Sequence, residues 1–201
     1  PAVRSDLNGW IAHVRANKAV PIAQDVGEAN FVCMSDASRT HWACLVYSVA
    51  DGTIQLFQEK WGDSFPDKYA RDSTKAEPEA IYRALCRAFT VETAKTAKVA
   101  FYSDHKGFQY AHDAGYGKCW FYDEIIGRIA RTFPSLELEL RFVKGVECLV
   151  DSWSRGYDGP LDEEKATGEL LAFASDLTFK PKTGPFSRPF VAVGGVSGAA
   201  A

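Results

Sequence analysis

The stretch ANFVCMSDASRTHWACLVYSVADGTIQLFQEKW, residues 29–61, decides the fold. It contains three apolar runs rich in β-formers, ANFVCMS (29–35), HWACLVYSV (41–49) and TIQLFQEKW (53–61). Branched and aromatic side chains fit a pleated, half-buried surface, so each run reads as a strand. Asp51-Gly52 between the second and third runs is a two-residue hairpin signal, because the tight turn needs positive φ. Three consecutive antiparallel strands follow from this reading.

Working outward, residues 5–17 have helical spacing of Leu7, Trp10, Ile11 and Val14, with Ser5 or Asp6 as cap. A linker with Pro21 and Gly27 joins this helix to the first strand. On the other side, 62–73 reads as a polar loop. Residues 74–90 read as a helix that buries Ala80, Ile81, Ala84, Leu85, Ala88 and Phe89. Thr74-Lys-Ala-Glu77 has capping-box spacing, but Pro78 prefers the first helical position and moves the expected cap to Glu77. Residues 97–103 form a fourth strand. Helices are expected at 105–114 and 118–133, broken at Gly115-Tyr-Gly117. The alternation in 136–143 marks a fifth strand, 146–155 a helix or helical turn, and 161–176 a last helix. Residues 177–201, with Pro181, Pro185, Pro189 and Gly194-Gly195, read as a tail or linker. The element order predicts an α/β fold: a five-stranded mixed sheet, its first three strands antiparallel, flanked by helices.

Composition sets outer bounds. The chain has 201 residues and a formal charge of −3, and its 13% aromatic content is too high for a disordered chain. A histone-like binder would need a large excess of Lys and Arg. No apolar run approaches the roughly 18 residues of a membrane span, so no membrane partner is expected. The five cysteines (33, 44, 86, 119, 148) form no Cys-x-x-Cys pair, which argues against zinc and for free thiols in a reducing, intracellular setting. The chain starts at Pro1 without a signal peptide, as expected for a piece of a longer polypeptide.

Four acids stand where this topology can bring them together. Asp36 ends the first strand, Glu77 opens the long helix, Asp104 ends the fourth strand, and Asp151 lies in the helix after the fifth. Oxygen donors of this kind suit Mg²⁺ or Mn²⁺. Two such ions about 4 Å apart activate water and stabilise a leaving oxygen in phosphodiester cleavage. Glu77 continues the apolar face toward the sheet. Glu79, four residues before Arg83, is expected on the solvent side, paired with that Arg. A strand-end Asp also serves as a turn former or helix cap. The residues alone leave both a metal site and four structural acids open.

The core, about 29–156, resembles the ribonuclease H domain that follows reverse transcriptase in retroelements, especially gypsy-like and DIRS-like ones. The resemblance is carried by Asp36-Ala37-Ser38 with Trp42, by Glu77 with Ala80, Ala84 and Leu85, by Ser103-Asp104-His105-Lys106, and by Gly145-Val-Glu147 followed by Asp151-Ser-Trp-Ser154-Arg155. It implies a ribonuclease H-like fold and endonucleolytic cleavage of the RNA strand of RNA–DNA hybrids. It implies that Asp36, Glu77, Asp104 and Asp151 are the catalytic ligands of two Mg²⁺ (or Mn²⁺) ions, with Asp36 bridging both. It also implies an upstream reverse transcriptase in the same polyprotein, with 1–28 as the connection, 29–156 the nuclease, 157–176 a trailing helix and 177–201 a tail. The location implied is the cytoplasm or nucleus. Lys144 and Cys148 stand where the closing motif usually has Pro and Asn.

Around these acids, Arg39, Lys106 and Arg155 are candidate phosphate contacts. His105, beside Asp104, is a candidate proton shuttle. Two other readings stay open: a different nuclease or integrase of the same fold, and a binding or scaffold module with a degraded site.

Overall fold

The computed structural model describes residues 27–174 and 177–179. The leading helix expected at 5–17 and most of the 177–201 tail lie outside the described residues. The main sheet has five strands: β2 (Phe31–Ala37), β3 (His41–Ser48), β4 (Thr53–Lys60), β5 (Lys98–Ser103) and β6 (Glu137–Phe142). Their spatial order is β4-β3-β2-β5-β6. β2, β3 and β4 are mutually antiparallel, while β5 joins β2 and β6 joins β5 in parallel. This is the ribonuclease H-like arrangement, with the opening stretch supplying its antiparallel half.

The hairpin forms, but its loop is longer than the Asp51-Gly52 signal suggests. Ser48 pairs with Thr53, which leaves Val49 to Gly52 as a four-residue connection. The Gly52 N–H donates to the Ser48 carbonyl, and the Ser48 hydroxyl donates to Asp51. Gly52 has φ +65°, the conformation that requires glycine there.

Among the described residues, seven α-helices accompany the sheet. They are α1 (Asp67–Ala70), α2 (Ser73–Ala88), α3 (Val91–Ala94), α4 (Lys106–Ala114), α5 (Trp120–Thr132), α6 (Asp151–Ser154) and α7 (Glu163–Phe173). The short helix α1 sits where the sequence reads as loop, and α3 fills the gap between the expected long helix and fourth strand. The cap of α2 also differs from expectation. Asp72 accepts the Thr74 N–H at 3.0 Å and starts the helix before Glu77. Pro78 therefore lies inside α2, where it offers no N–H to the Thr74 carbonyl.

Strand alternation gives two cores. Cys33, Trp42, Cys44 and Phe101 face α2, α4 and α5, packing with Ile81, Leu85, Phe108 and Ile125. Val32, Met34, Leu45 and Tyr102 face the other way, covered by Val150 and by Ala166 and Leu170 of α7. The trailing helix thus belongs to the same packed unit. Within the tail, Thr178–Phe179 form a short strand, β7, antiparallel to β1 (Gly27–Glu28), despite the Pro and Gly residues that follow. Arg141 Nη2 donates to the Thr178 carbonyl at 2.8 Å and ties this strap to β6.

Candidate active site

Three of the four acids converge. Carboxylate oxygens of Asp36, Glu77 and Asp104 lie within 4.8 Å of one another. The topology makes this possible. β2 and β5 are parallel neighbours, so Asp36, at the end of β2, and Asp104, just past β5, emerge at the same sheet end. α2 packs on β2 and delivers Glu77 from its second turn.

The cluster is short of positive charge. Asp36 is 7% and Glu77 5% exposed. Among the described residues, no lysine or arginine forms an ion pair with Asp36, Glu77 or Asp104. Glu77 Oε2 is buried and without a hydrogen-bond partner. Burial raises the Glu77 pKa well above the ordinary carboxylate range, and the charges of Asp36 and Asp104 raise it further. Burial also raises Asp36, against a lowering by the Ser154 hydroxyl, and raises Asp104, against a lowering by His105. Buried like charges of this kind are costly without a cation. The orphaned Glu77 oxygen and the all-oxygen donor set fit a hard divalent ion.

Asp151 stands apart. It raises the pKa of all three other acids, so it is close enough to be felt. Its carboxylate, however, accepts from Arg155 through Nε at 3.0 and 2.9 Å and through Nη2 at 2.7 Å. These hydrogen bonds hold its pKa below the ordinary range. The structure thus assembles Asp36, Glu77 and Asp104, and keeps Asp151 beside them in an ion pair.

Glu79 corrects an expectation. It pairs with Arg83 at 2.9 Å as foreseen, but it is 3% exposed rather than solvent-facing. Arg128 of α5 reaches over it and binds at 2.6 Å, while the same guanidinium stacks 4.0 Å from the Tyr82 ring. α5 covers this face of α2, a tertiary contact invisible in the α2 pattern.

The remaining candidates are distributed around the cluster. Arg39 is exposed and binds Asp67 at 3.3 Å. Arg155 is engaged by Asp151. Lys106 is exposed and sits near the Tyr110 and Phe142 rings. His105 Nε2 meets the Tyr122 hydroxyl at 2.8 Å, and burial lowers its pKa.

Two residues of the closing motif, given no role of their own in the sequence reading, touch the acids. Ser154 is fully buried, and its hydroxyl donates to Asp36 Oδ2 while lying 2.9 Å from the Asp151 carbonyl. Gly145 approaches Asp104 so closely that a Cβ there would lie 2.9 Å from Oδ2. Each acts across more than 40 residues of sequence. Cys148 is buried with its Sγ 3.9 Å from the Ser35 carbonyl.

No protein-family model matches the chain, and no curated protein matches it. Among solved structures, it is similar to LC11-RNase H1, isolated from compost by a metagenomic approach, at 15% identity and TM-score 0.46. That match covers 71% of this chain and 99% of the other. It is similar to a foamy viral protease-reverse transcriptase solved with dsDNA, at 15% identity and TM-score 0.41, covering 70% of this chain and 30% of that one. RNase H1 from the archaeon Halobacterium salinarum NRC-1 aligns at 11% identity and TM-score 0.38, over 60% of this chain and 88% of that one. The strand order and directions themselves define the fold class. Among the described residues, no helix is long and apolar enough to cross a membrane.

Proposed function

We propose that this chain is a ribonuclease H, an endonuclease that hydrolyses the RNA strand of RNA–DNA hybrids with Mg²⁺ or Mn²⁺. The observation that carries the reading is the convergence of Asp36, Glu77 and Asp104 within 4.8 Å, with Asp36 and Glu77 buried and none of the three in an ion pair with a described cation. A divalent ion held there supplies activation of water and neutralisation of the leaving oxygen. Asp36, Glu77 and Asp104 would hold it, with Asp36, the member nearest Ser154 and α6, shared with a second ion completed by Asp151. Ser154 orients Asp36 through Oδ2. Arg155 and Arg39, at the rim, would meet backbone phosphates. An upstream reverse transcriptase joined through residues 1–28, in a retroelement polyprotein acting in the cytoplasm or nucleus, completes the proposal.

A second reading has one observation in its favour. Asp151 is paired with Arg155 and is not one of the three clustered carboxylates, as suits a binding module of the same fold with impaired cleavage.

The test is a labelled RNA–DNA hybrid incubated with the protein in Mg²⁺ and in Mn²⁺. Cleavage confined to the RNA strand, reduced by about 10³-fold or more in Asp104→Asn, is expected, since the metal contributes several kcal/mol to the barrier. Hybrid binding without cleavage in either metal would select the second reading.

A further inference from the structure

The geometry points to Lys106, Tyr110 and Phe142 as a lateral contact strip that holds the sugar–phosphate backbone of nucleic acid entering the carboxylate site; this rests on the nuclease reading above. The strip is built from two elements. Lys106 opens α4 two residues after Asp104, and Phe142 ends β6, directly opposite Ser103 of β5. It therefore borders the cluster on the β6 side, and a polymer seated on the acids in that direction passes over it.

The side chains suit a polyanion with apolar faces. Lys106 is exposed, and among the described residues it forms no ion pair. Its ammonium lies 5.7 Å from the Tyr110 ring centroid and 5.6 Å from that of Phe142, within cation–π range. The two rings restrain a flexible stem without neutralising its charge, so the lysine is held ready for a phosphate. Tyr110 is 60% and Phe142 43% exposed, large apolar surfaces left open beside a site of strong negative charge. Aromatic rings next to a cation are what sugars and bases stack against in sequence-tolerant binding. A chain with net charge −3 needs such local contacts to approach a polyanion. An acidic peptide or a second copy of the chain would satisfy Lys106 as well, but neither has a reason to sit against the acids; nucleic acid, bridged to them by a cation, does.

The experiment is fluorescence anisotropy of a labelled RNA–DNA hybrid across a salt series in Mg²⁺, with every variant in an Asp36→Asn background to suppress cleavage. Lys106→Ala is expected to reduce the slope of log affinity against log salt by about 0.9, the loss of one phosphate contact, and Lys106→Arg to keep it. Tyr110→Ala with Phe142→Ala is expected to weaken binding about tenfold at every salt concentration, with the slope unchanged. Thermal unfolding of each variant, matching its parent, shows that the fold is kept. If the parent binds and the variants bind equally well with the same slope, the strip is not a nucleic-acid contact, whatever cleavage shows. If hybrid affinity is unchanged but Phe142→Ala dissolves a dimer seen in sedimentation, the strip is a self-association surface and the inference is overturned. If the parent does not bind and the native chain does not cut in Mg²⁺ or Mn²⁺, the nuclease reading falls and the strip falls with it.

Discussion

Glu77 and Glu79 lie two residues apart on one helix, and both are buried, at 5% and 3% exposure. Their surroundings are opposite. Glu79 has two guanidinium partners, Arg83 at 2.9 Å and Arg128 at 2.6 Å. Glu77 has two carboxylates for neighbours and an oxygen without any partner. Burial of an acid is therefore no sign of a site by itself; what separates the two is whether the protein supplies the counter-charge. Around Glu79 it does, and the result is a brace between α2 and α5. Around Glu77 it does not, and the charge balance is left to something from outside.

The difference breaks most sharply at Glu79. Glu79→Gln leaves Arg83 and Arg128 without their shared acid, and unfolding in denaturant should show a loss of about 2–3 kcal/mol, toward the low end for a buried pair. The low end is appropriate because the arginine side chains are 22% and 31% exposed. An unchanged stability would mean that the brace is ornamental and that the contrast with Glu77 is one of geometry only.

A smaller effect is expected at Asp36, whose donor is the neutral Ser154 hydroxyl and not an arginine. Ser154→Ala should lower Mn²⁺ affinity about tenfold, the usual scale for a residue that orients a metal ligand. Calorimetric titration measures it; equal affinities would show that Asp36 is positioned by its strand alone.

The smallest effect is a pH dependence. Burial and the neighbouring acids raise the folded-state pKa of Glu77 above that of the unfolded chain. The folded protein then holds a proton that the unfolded chain has released. Without divalent ions, the contribution of Glu77 to stability should therefore be greatest at low pH and fall as pH rises from the ordinary carboxylate range through the raised folded value, opposite in sign to the contributions of the paired Asp72 and Asp151. Glu77→Gln should flatten that fall and stabilise the metal-free protein at neutral pH by about 1 kcal/mol, since it removes the cost of keeping a buried, unpaired acid either protonated or charged. Thermal melts in chelator across pH check both; a steeper fall in the variant would contradict the assignment.

The same pair of residues shows how far the sequence could be read. Strand alternation in 29–61 determined which faces of β2, β3 and β4 are buried, because a period of two leaves little choice of register. Asp36 and Asp104 were legible because each closes a strand whose place in the sheet is set by that register, and Glu77 because it continues the apolar face of α2 toward the sheet. Glu79 was misplaced because its burial comes from α5, and no α2 periodicity carries information about a helix 40 residues later. The α2 cap was misassigned because Pro78 competes with Asp72, and the Asp72 side chain, with a good acceptor geometry for Thr74, wins. Ser154 and Gly145 stand in the closing motif, but their contacts were beyond reach for a similar reason: their partners, Asp36 and Asp104, lie on other elements, and a serine or glycine offers no local sign of a distant contact.

The central claim, that the chain builds a cation site from Glu77 and not from Glu79, is tested most directly by titrating Mn²⁺ into the native protein, Glu77→Gln and Glu79→Gln, and following the ion's paramagnetic resonance. Saturable binding that is lost or weakened at least tenfold in Glu77→Gln and kept in folded Glu79→Gln is the predicted result. Equal Mn²⁺ binding by native protein and Glu77→Gln would contradict it.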